Sequence, residues 1–290
     1  MTGLDAGEVR DVVRRALDED LGGPDGVDVT SSATIPLTDV RTAHVVARAD
    51  GVLAGIALFT LVWDDVTRRL ACPPVQVEVL AADGSRVLRG DVLVRATGPT
   101  QALLVGERTA LNLVCRLSGV ATHTRRWADA LQGTGAQVLD TRKTTPNLRA
   151  LEKYAVRCGG GTNKRMGLFD VAMVKDNHKL AAGSVAAAYE AVRAMYPSVP
   201  VQVEVTTMAE ALEAVAAGAR FLLCDNMSAP LLTETVLAVR AATPERVEVE
   251  GTGGLTLEHV RAYAETGVDY LSVGALTHSS PILDLALDLL

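Results

Sequence analysis

The residues best suited to chemistry lie at the ends of short apolar runs. QVLD (137–140) leads into Thr141-Arg142-Lys143-Thr144, and VAMVK (171–175) ends in Lys175, followed by Asp176-Asn177-His178. VQVEV (201–205) carries Glu204, and FLLCD (221–225) ends in Asp225. VEVE (247–250) runs into Gly251-Thr252-Gly253-Gly254, and YLSVG (270–274) ends at Gly274-Ala275. Lys164 and Arg165 follow the Gly159-Gly160-Gly161 segment. Arg142, Lys143, Lys164, Arg165 and Lys175 would repel one another if gathered empty, so the cluster predicts an anionic ligand. Glu204 and Asp225, on neighbouring runs, suit a divalent cation or sugar hydroxyls. Thr252-Gly253-Gly254 and Gly274 offer backbone N–H groups for a phosphate. The sum is a site for a phosphorylated sugar, a cation and a multiply charged anion.

Each signal alone has a plainer reading. A single GTGG is usually a turn, the Gly159–Gly161 run can be a hinge, and strand-end lysines and arginines are often just solvated. His123 and His259 sit among polar helical residues and read as surface groups, and His44, inside a strand, reads as structural. His178 fixes a loop as readily as it catalyses, and Glu152-Lys153 reads as an ordinary exposed pair on a helix. Strand order outweighs these readings. In parallel α/β barrels functional residues collect at the carboxyl ends of strands, and here every such end is charged or Gly-rich.

The elements that must hold this face follow from periodicity. Val9, Val12, Val13, Ala16 and Leu17 recur as one helical face over 6–21, with Asp5 placed to cap it. AHVVARA, VQVEVL and DVLVRA (43–96) read as strands, with a helix from Ile56 to Leu70 between the first two. Thr100 to Leu131 reads as a long helix with a break near Ser118-Gly119. Thereafter the apolar runs alternate with helices expected at 184–195, 208–217, 229–241 and 256–266. Repeated βα units imply a parallel sheet covered by helices, and this many favour a barrel. The predicted class is α/β: an incomplete parallel α/β barrel (113–290) behind an amino-terminal α+β sandwich (1–112). A variant of this division returns about the last ten residues to the first domain.

Composition removes whole classes of partner. The chain has 290 residues, 48% hydrophobic and only 3% aromatic, so its core must be built from Val, Leu and Ala. A net charge of −7 disfavours nucleic acid and anionic membranes, while leaving room for a local basic pocket. The four cysteines are scattered, with no metal-binding spacing, and read as buried thiols in a reducing compartment. With no apolar leader core and no membrane-length run, the expected location is the cytoplasm.

Several stretches carry a more specific resemblance. They are ERTALNLVCRLSGVATHTRR (107–126), DTRKTTPNLRALEKYAVRCGGGTNKRMGLFD (140–170), KDNH (175–178), VEV (203–205), LCDNM (223–227), TGG (252–254) and YLSVGALTHS (270–279). With DVTS at 28–31, they resemble the quinolinate phosphoribosyltransferases, also called nicotinate-nucleotide pyrophosphorylases (carboxylating), over nearly the whole chain. The resemblance implies an amino-terminal sandwich, an incomplete barrel and a head-to-tail homodimer, with higher association left open. It implies transfer of phosphoribosyl from phosphoribosyl pyrophosphate to quinolinate, with decarboxylation, in NAD biosynthesis. Carried over residue by residue, Arg108 would reach the neighbouring subunit's site, and Arg142, Arg165 and Lys175 would bind quinolinate carboxylates. Lys143 would contact the diphosphate, with Thr141 beside it. Glu204 and Asp225 would face the ribose and Mg²⁺, directly or through substrate or water. Thr252, Gly253, Gly254, Gly274 and Ala275 would hold the 5-phosphate.

One position departs from the family pattern. Asn163-Lys164-Arg165 stands where the family usually has Asn-His-Arg. Either Lys164 serves the same acceptor carboxylate with a permanent charge, or it marks a paralogue acting on a different aromatic acid. Two further classes stay open: a non-catalytic barrel that binds phosphorylated ligands, and a lyase or aldolase using Lys175 as a Schiff-base amine.

Overall fold

The computed structural model describes Met1 and residues 3–290. Its chain forms two compact units, Met1–Arg125 with Thr144–Gly160 and Thr277–Leu290, and Arg126–Lys143 with Gly161–Leu276.

The first unit opens with α1 (Ala6–Leu21), whose Val9, Val12, Val13 and Leu17 are buried as one stripe. Asp5 caps it by accepting the Glu8 N–H at 2.8 Å. A short helix α2 (Val29–Thr34), not expected from the sequence, starts at Asp28, whose carboxylate accepts from the Thr30 and Ser31 N–H groups. Next come β1 (Val40–Ala47), β2 (Gly51–Val52), α3 (Leu58–Arg69), β3 (Gln76–Val79), β4 (Arg86–Val87) and β5 (Val92–Pro99). β5 lies between β1 and β3 in an antiparallel sheet, and the chain's last strand, Leu285–Leu289, adds to the other side of β1.

The break expected near Ser118-Gly119 does not occur: α4 runs unbroken over Thr100–Ala130. The two small residues serve close packing instead. Ser118 Oγ accepts the Ala54 N–H at 3.1 Å, and a Cβ on Gly119 would lie 2.1 Å from the Pro281 carbonyl oxygen. The domain boundary expected at 112/113 falls inside this helix, and the first unit continues to Arg125. It also takes in α5 (Arg149–Cys158), which the sequence division had assigned to the barrel domain.

The second unit is an incomplete α/β barrel. Its strands are β6 (Gln137–Leu139), β7 (Ala172–Val174), β8 (Val201–Val205), β9 (Phe221–Asp225), β10 (Glu248–Thr252) and β11 (Tyr270–Ser272). They form a six-stranded parallel sheet in the order β6-β11-β10-β9-β8-β7. Among the described residues no ladder joins β6 to β7, and Leu139 bridges instead to Thr162. All five residues of β8 are buried, as a strand covered on both faces requires. Helices α6 (Asp176–Ala182), α7 (Val185–Met195), α8 (Met208–Ala216), α9 (Ala229–Ala241) and α10 (Val260–Ala264) occupy the crossovers. Parallel register sets the strand ends side by side: Asp225 pairs with Thr252, and Glu204 with Leu223.

Among the described residues no helix is long and apolar enough to cross a membrane. All four cysteines are free; Cys115 and Cys224 are buried, whereas Cys72 and Cys158 are only partly so.

Candidate active site

Asp140, directly after β6, is fully buried. Its carboxylate accepts the Asn163 amide at 2.6 Å and the Lys164 backbone N–H at 2.8 Å. The segment after the glycine run is thereby tied to the end of β6. Arg165, also buried, donates to the Val171 carbonyl at 3.1 Å and reaches the Met173 sulfur at 3.4 Å. The turn that follows is closed by Asp170, which accepts the N–H groups of Met166 and Gly167.

These constraints bring most of the expected residues to one cavity of about 390 Å³. Arg142, Lys143, Lys164, Arg165 and Lys175 line it, together with Glu204 and Asp225. Thr141 and Thr252 complete the predicted part of the wall. Met173, Leu223 and Ser272 also line it and were missed. Their signal is the two-residue alternation of β7, β9 and β11, which runs so short that no inward face is legible.

The cations are not independent. Lys175 Nζ forms a close ion pair with Glu204. Lys164 Nζ lies 2.6 Å from Glu250 Oε1, with Glu250 fully buried and the Lys164 side chain only 9% exposed. Gln202 Nε2 donates to the other Glu250 oxygen at 2.7 Å, and Gln202 Oε1 is buried without a hydrogen-bond partner among the described residues. Burial pulls the Lys164 ammonium below the ordinary lysine range, opposed by Glu250. Burial, then the adjacent Arg142 guanidinium, pushes Arg165 down from the usual arginine range. Depression by a neighbouring like charge is the condition that an anion relieves.

Gly253 and Gly254 are outside the cavity wall but continue from Thr252. Gly253 has φ of 102°, and a Cβ there would meet Asn226 Oδ1 at 2.2 Å, so this turn demands glycine. Asn226 in turn holds Asp225, donating its amide to Oδ2 at 2.9 Å. Gly274 and Ala275 follow the wall residue Ser272 and likewise do not line the cavity. Arg108 belongs to the first unit, where its side chain is 64% exposed and its nearest carboxylate partner, Glu107, lies at 4.0 Å.

His178 has a resolved role. It lies in the first turn of α6, where its Nδ1 accepts the Lys175 N–H at 2.9 Å, so it fixes the backbone of a site lysine. His259 is exposed, and His123 is half-buried against Ser280 at 2.8 Å rather than on the surface.

The reading of Glu152-Lys153 as an exposed pair is overturned: both are fully buried. Glu152 Oε1 accepts from Arg116 at 2.8 and 3.1 Å and from the Thr145 hydroxyl at 2.7 Å, while Oε2 accepts the Thr145 N–H at 2.9 Å. Arg116 also donates to the Ser280 carbonyl at 2.9 Å and to that of Thr277. The available signal was apolar residues on every side, Leu151 and then Tyr154-Ala155-Val156, which are not the neighbours of a solvated pair.

Residues 28–118 match the family model for the quinolinate phosphoribosyl transferase N-terminal domain, and residues 120–288 match that for its C-terminal domain. The chain belongs to the quinolinate phosphoribosyltransferase family. Within this family it is 46% identical to a nicotinate-nucleotide pyrophosphorylase (carboxylating) of Mycobacterium leprae, over 97% of this chain and 96% of that one. The solved structure of NadC from Streptococcus pyogenes is similar with a TM-score of 0.91 and 35% identity, covering 100% of both chains. The nicotinate-nucleotide pyrophosphorylase from Francisella tularensis is similar with a TM-score of 0.89 and 33% identity, covering 99% of this chain and 98% of that one.

Proposed function

We propose that this protein transfers phosphoribosyl from phosphoribosyl pyrophosphate to quinolinate, yielding nicotinate mononucleotide, CO₂ and pyrophosphate in NAD biosynthesis. The observation that carries the reading is the single cavity in which Arg142, Lys143, Lys164, Arg165 and Lys175 meet Glu204 and Asp225. Its cationic wall suits two polyanionic substrates, and its carboxylates suit a sugar and a metal ion.

The ring nitrogen's lone pair forms the bond to ribose C1 as the C1–O bond breaks and pyrophosphate leaves with the electron pair. Charge that grows on the departing oxygens faces Lys143, and the oxocarbenium character of the ribose faces Glu204 and Asp225. Arg142, Arg165 and Lys175 hold the acceptor's carboxylates, so the attack is favoured by orientation. Once alkylated, the ring nitrogen is positive. It draws in the electrons of the breaking carboxylate bond, CO₂ departs, and the ring carbon takes a proton from solvent. No organic cofactor is required. Thr252, Gly253, Gly254, Gly274 and Ala275 receive the 5-phosphate.

Glu204 and Asp225 fit a hard divalent cation as shared ligands. Two carboxylates plus substrate oxygens is the usual Mg²⁺ arrangement, and Lys175 already engages Glu204. No cluster of three or more potential metal ligands occurs among the described residues. Bound there, Mg²⁺ would offset charge on the diphosphate.

The functional unit is a homodimer in which Arg108 serves the neighbouring subunit's site. Exposed Leu168, Phe169, Leu180 and Met195 in the second unit supply apolar surface for association. The Schiff-base alternative is disfavoured because Lys175 is committed to an ion pair with Glu204 and its side chain is 46% exposed rather than desolvated.

The test is pyrophosphate release from phosphoribosyl pyrophosphate and Mg²⁺ with a panel of aromatic acids. Quinolinate should be the preferred acceptor, with CO₂ released one for one. Preference for another acid overturns the reading. Chelating the cation should abolish turnover, yet leave the melting temperature of the substrate-free protein within about 1 °C. A large drop in that melting temperature would mean that the metal belongs to the folded protein.

A further inference from the structure

The glycine run at 159–161 does more than turn the chain. Gly160 has φ of 86°, and a Cβ there would lie between 3.2 and 3.3 Å from Nη1, Cζ and Nη2 of Arg125. Only bare backbone lets that guanidinium settle so close. Arg125 is half-buried near the end of α4. Its Nε is buried without a hydrogen-bond partner among the described residues, and no carboxylate pairs with the group among them. Other arginines buried to this degree in the first unit do have one: Arg69 meets Asp65, and Arg116 meets Glu152. A half-buried guanidinium without a counter-charge is a costly arrangement that an anion relieves.

Arg125 opens onto a cavity of about 580 Å³ whose walls include Asp83, Ser85, Tyr154, Arg157 and Cys158. All belong to the first unit, and none lines the cavity that holds Arg142 and Glu204. Arg157 lies over the Tyr154 ring, its Cζ 5.5 Å from the centroid, which orients a second guanidinium at the same rim. Asp83 is engaged inside the fold: Oδ1 accepts the Ile56 N–H at 2.9 Å, and Oδ2 the Tyr154 hydroxyl at 2.5 Å. Burial, then the bond to Asp83, raises the Tyr154 phenol above its usual range, and burial pushes the Cys158 thiol up. Neither group adds negative charge, so two guanidiniums stand against one committed carboxylate.

We propose that Arg125 and Arg157 form a second anion site, in the first unit, built for a dianionic phosphate, free or as a phosphomonoester. Arg125 supplies the paired N–H donors that match two oxygens of one phosphate, and Arg157 adds charge. A guanidinium already settled against Gly160 loses little freedom on binding. The volume leaves room for a sugar-sized group beside the phosphate. The site takes no part in the proposed reaction and does not rest on it.

Equilibrium dialysis with labelled inorganic phosphate, ribose 5-phosphate and citrate tests this on the full-length protein, at about 0.15 M salt to screen surface charge. The variants are Arg125→Met, Arg157→Gln and, in the other cavity, Arg142→Met. The wild type should bind phosphate at a site that survives Arg142→Met and that Arg125→Met weakens about ten-fold or more. Arg157→Gln should weaken it by about three-fold. Arg125→Met removes an unpartnered buried nitrogen and keeps an apolar stem, so it should melt within about 2 °C of the wild type. Tighter binding of ribose 5-phosphate at this site assigns it to a phosphomonoester, and equal binding assigns it to free phosphate.

If Arg142→Met abolishes all phosphate binding, or Arg125→Met leaves it unchanged, the inference fails. Preference for citrate over both phosphates also overturns it. Should Arg125→Met fail to fold, Arg125→Lys decides. It keeps the charge but loses the fork, so affinity should still fall about three-fold or more, and full affinity sinks the site. A protein that binds phosphate here yet transfers no phosphoribosyl group would defeat the proposed function and leave this site standing.

Discussion

Replacing Lys143 with alanine should lower kcat by roughly 10²- to 10³-fold while leaving the protein folded, because in the proposed mechanism the lysine faces charge that develops on leaving pyrophosphate. Lys143 is exposed at the cavity wall, on the loop that leaves β6, and its backbone N–H donates to the Thr141 hydroxyl at 3.1 Å. The side chain therefore projects from a turn that its own truncation does not dismantle. Removing an exposed cation opens no void in the core, so stability should change by at most about 0.5 kcal/mol. Lysine offers a point charge on a flexible stem, suited to an anion whose position shifts as the bond breaks. The loss should fall on kcat rather than on the KM for quinolinate, since only the transition state carries the extra charge. Steady-state pyrophosphate release with a parallel melting curve reads both quantities. Turnover within about three-fold of wild type would remove Lys143 from the mechanism.

Glu152→Ala should have the opposite signature, a large loss of stability. Glu152 is fully buried and accepts four hydrogen bonds, two from Arg116 and two from Thr145. Truncation leaves the Arg116 guanidinium, whose side chain is 22% exposed, without its carboxylate, and frees Thr145 from its anchor. Breaking such a pair from one side costs about 3–5 kcal/mol. In a chain of this size that lowers Tm by on the order of 10 °C. Glu152→Gln keeps the shape and part of the hydrogen bonding, so it should lose about half as much. A combined Arg116→Met and Glu152→Leu variant should regain part of the deficit, because no lone charge is then buried. Thermal melts of the three variants decide the point. An alanine variant that melts with the wild type would mean that water already satisfies Arg116.

Glu152 and Lys143 also mark how far one-dimensional reading goes. Charge at a strand end is legible because a parallel strand has only one functional end, and Lys143, Lys175 and Asp225 were found by that rule. Charge in mid-helix is less legible: apolar neighbours hint at burial, but the partner depends on what packs against the helix. Arg116, 36 residues earlier, is Glu152's partner, and nothing local announces the pairing.

By itself the sequence determined the order and type of the main elements, the helix over 6–21, the strands at 201–205 and 221–225, the helix at 229–241, and the family to which the chain belongs. Period, capping residues and glycines at strand ends are local properties, and local properties survive in one dimension. Tertiary structure alone decided that α4 passes unbroken through Ser118-Gly119, that α5 joins the first unit, and that Lys164 pairs with Glu250, 86 residues away. Those outcomes depend on which distant groups compete for the same buried space. Only the folded chain, with water excluded, sets that competition.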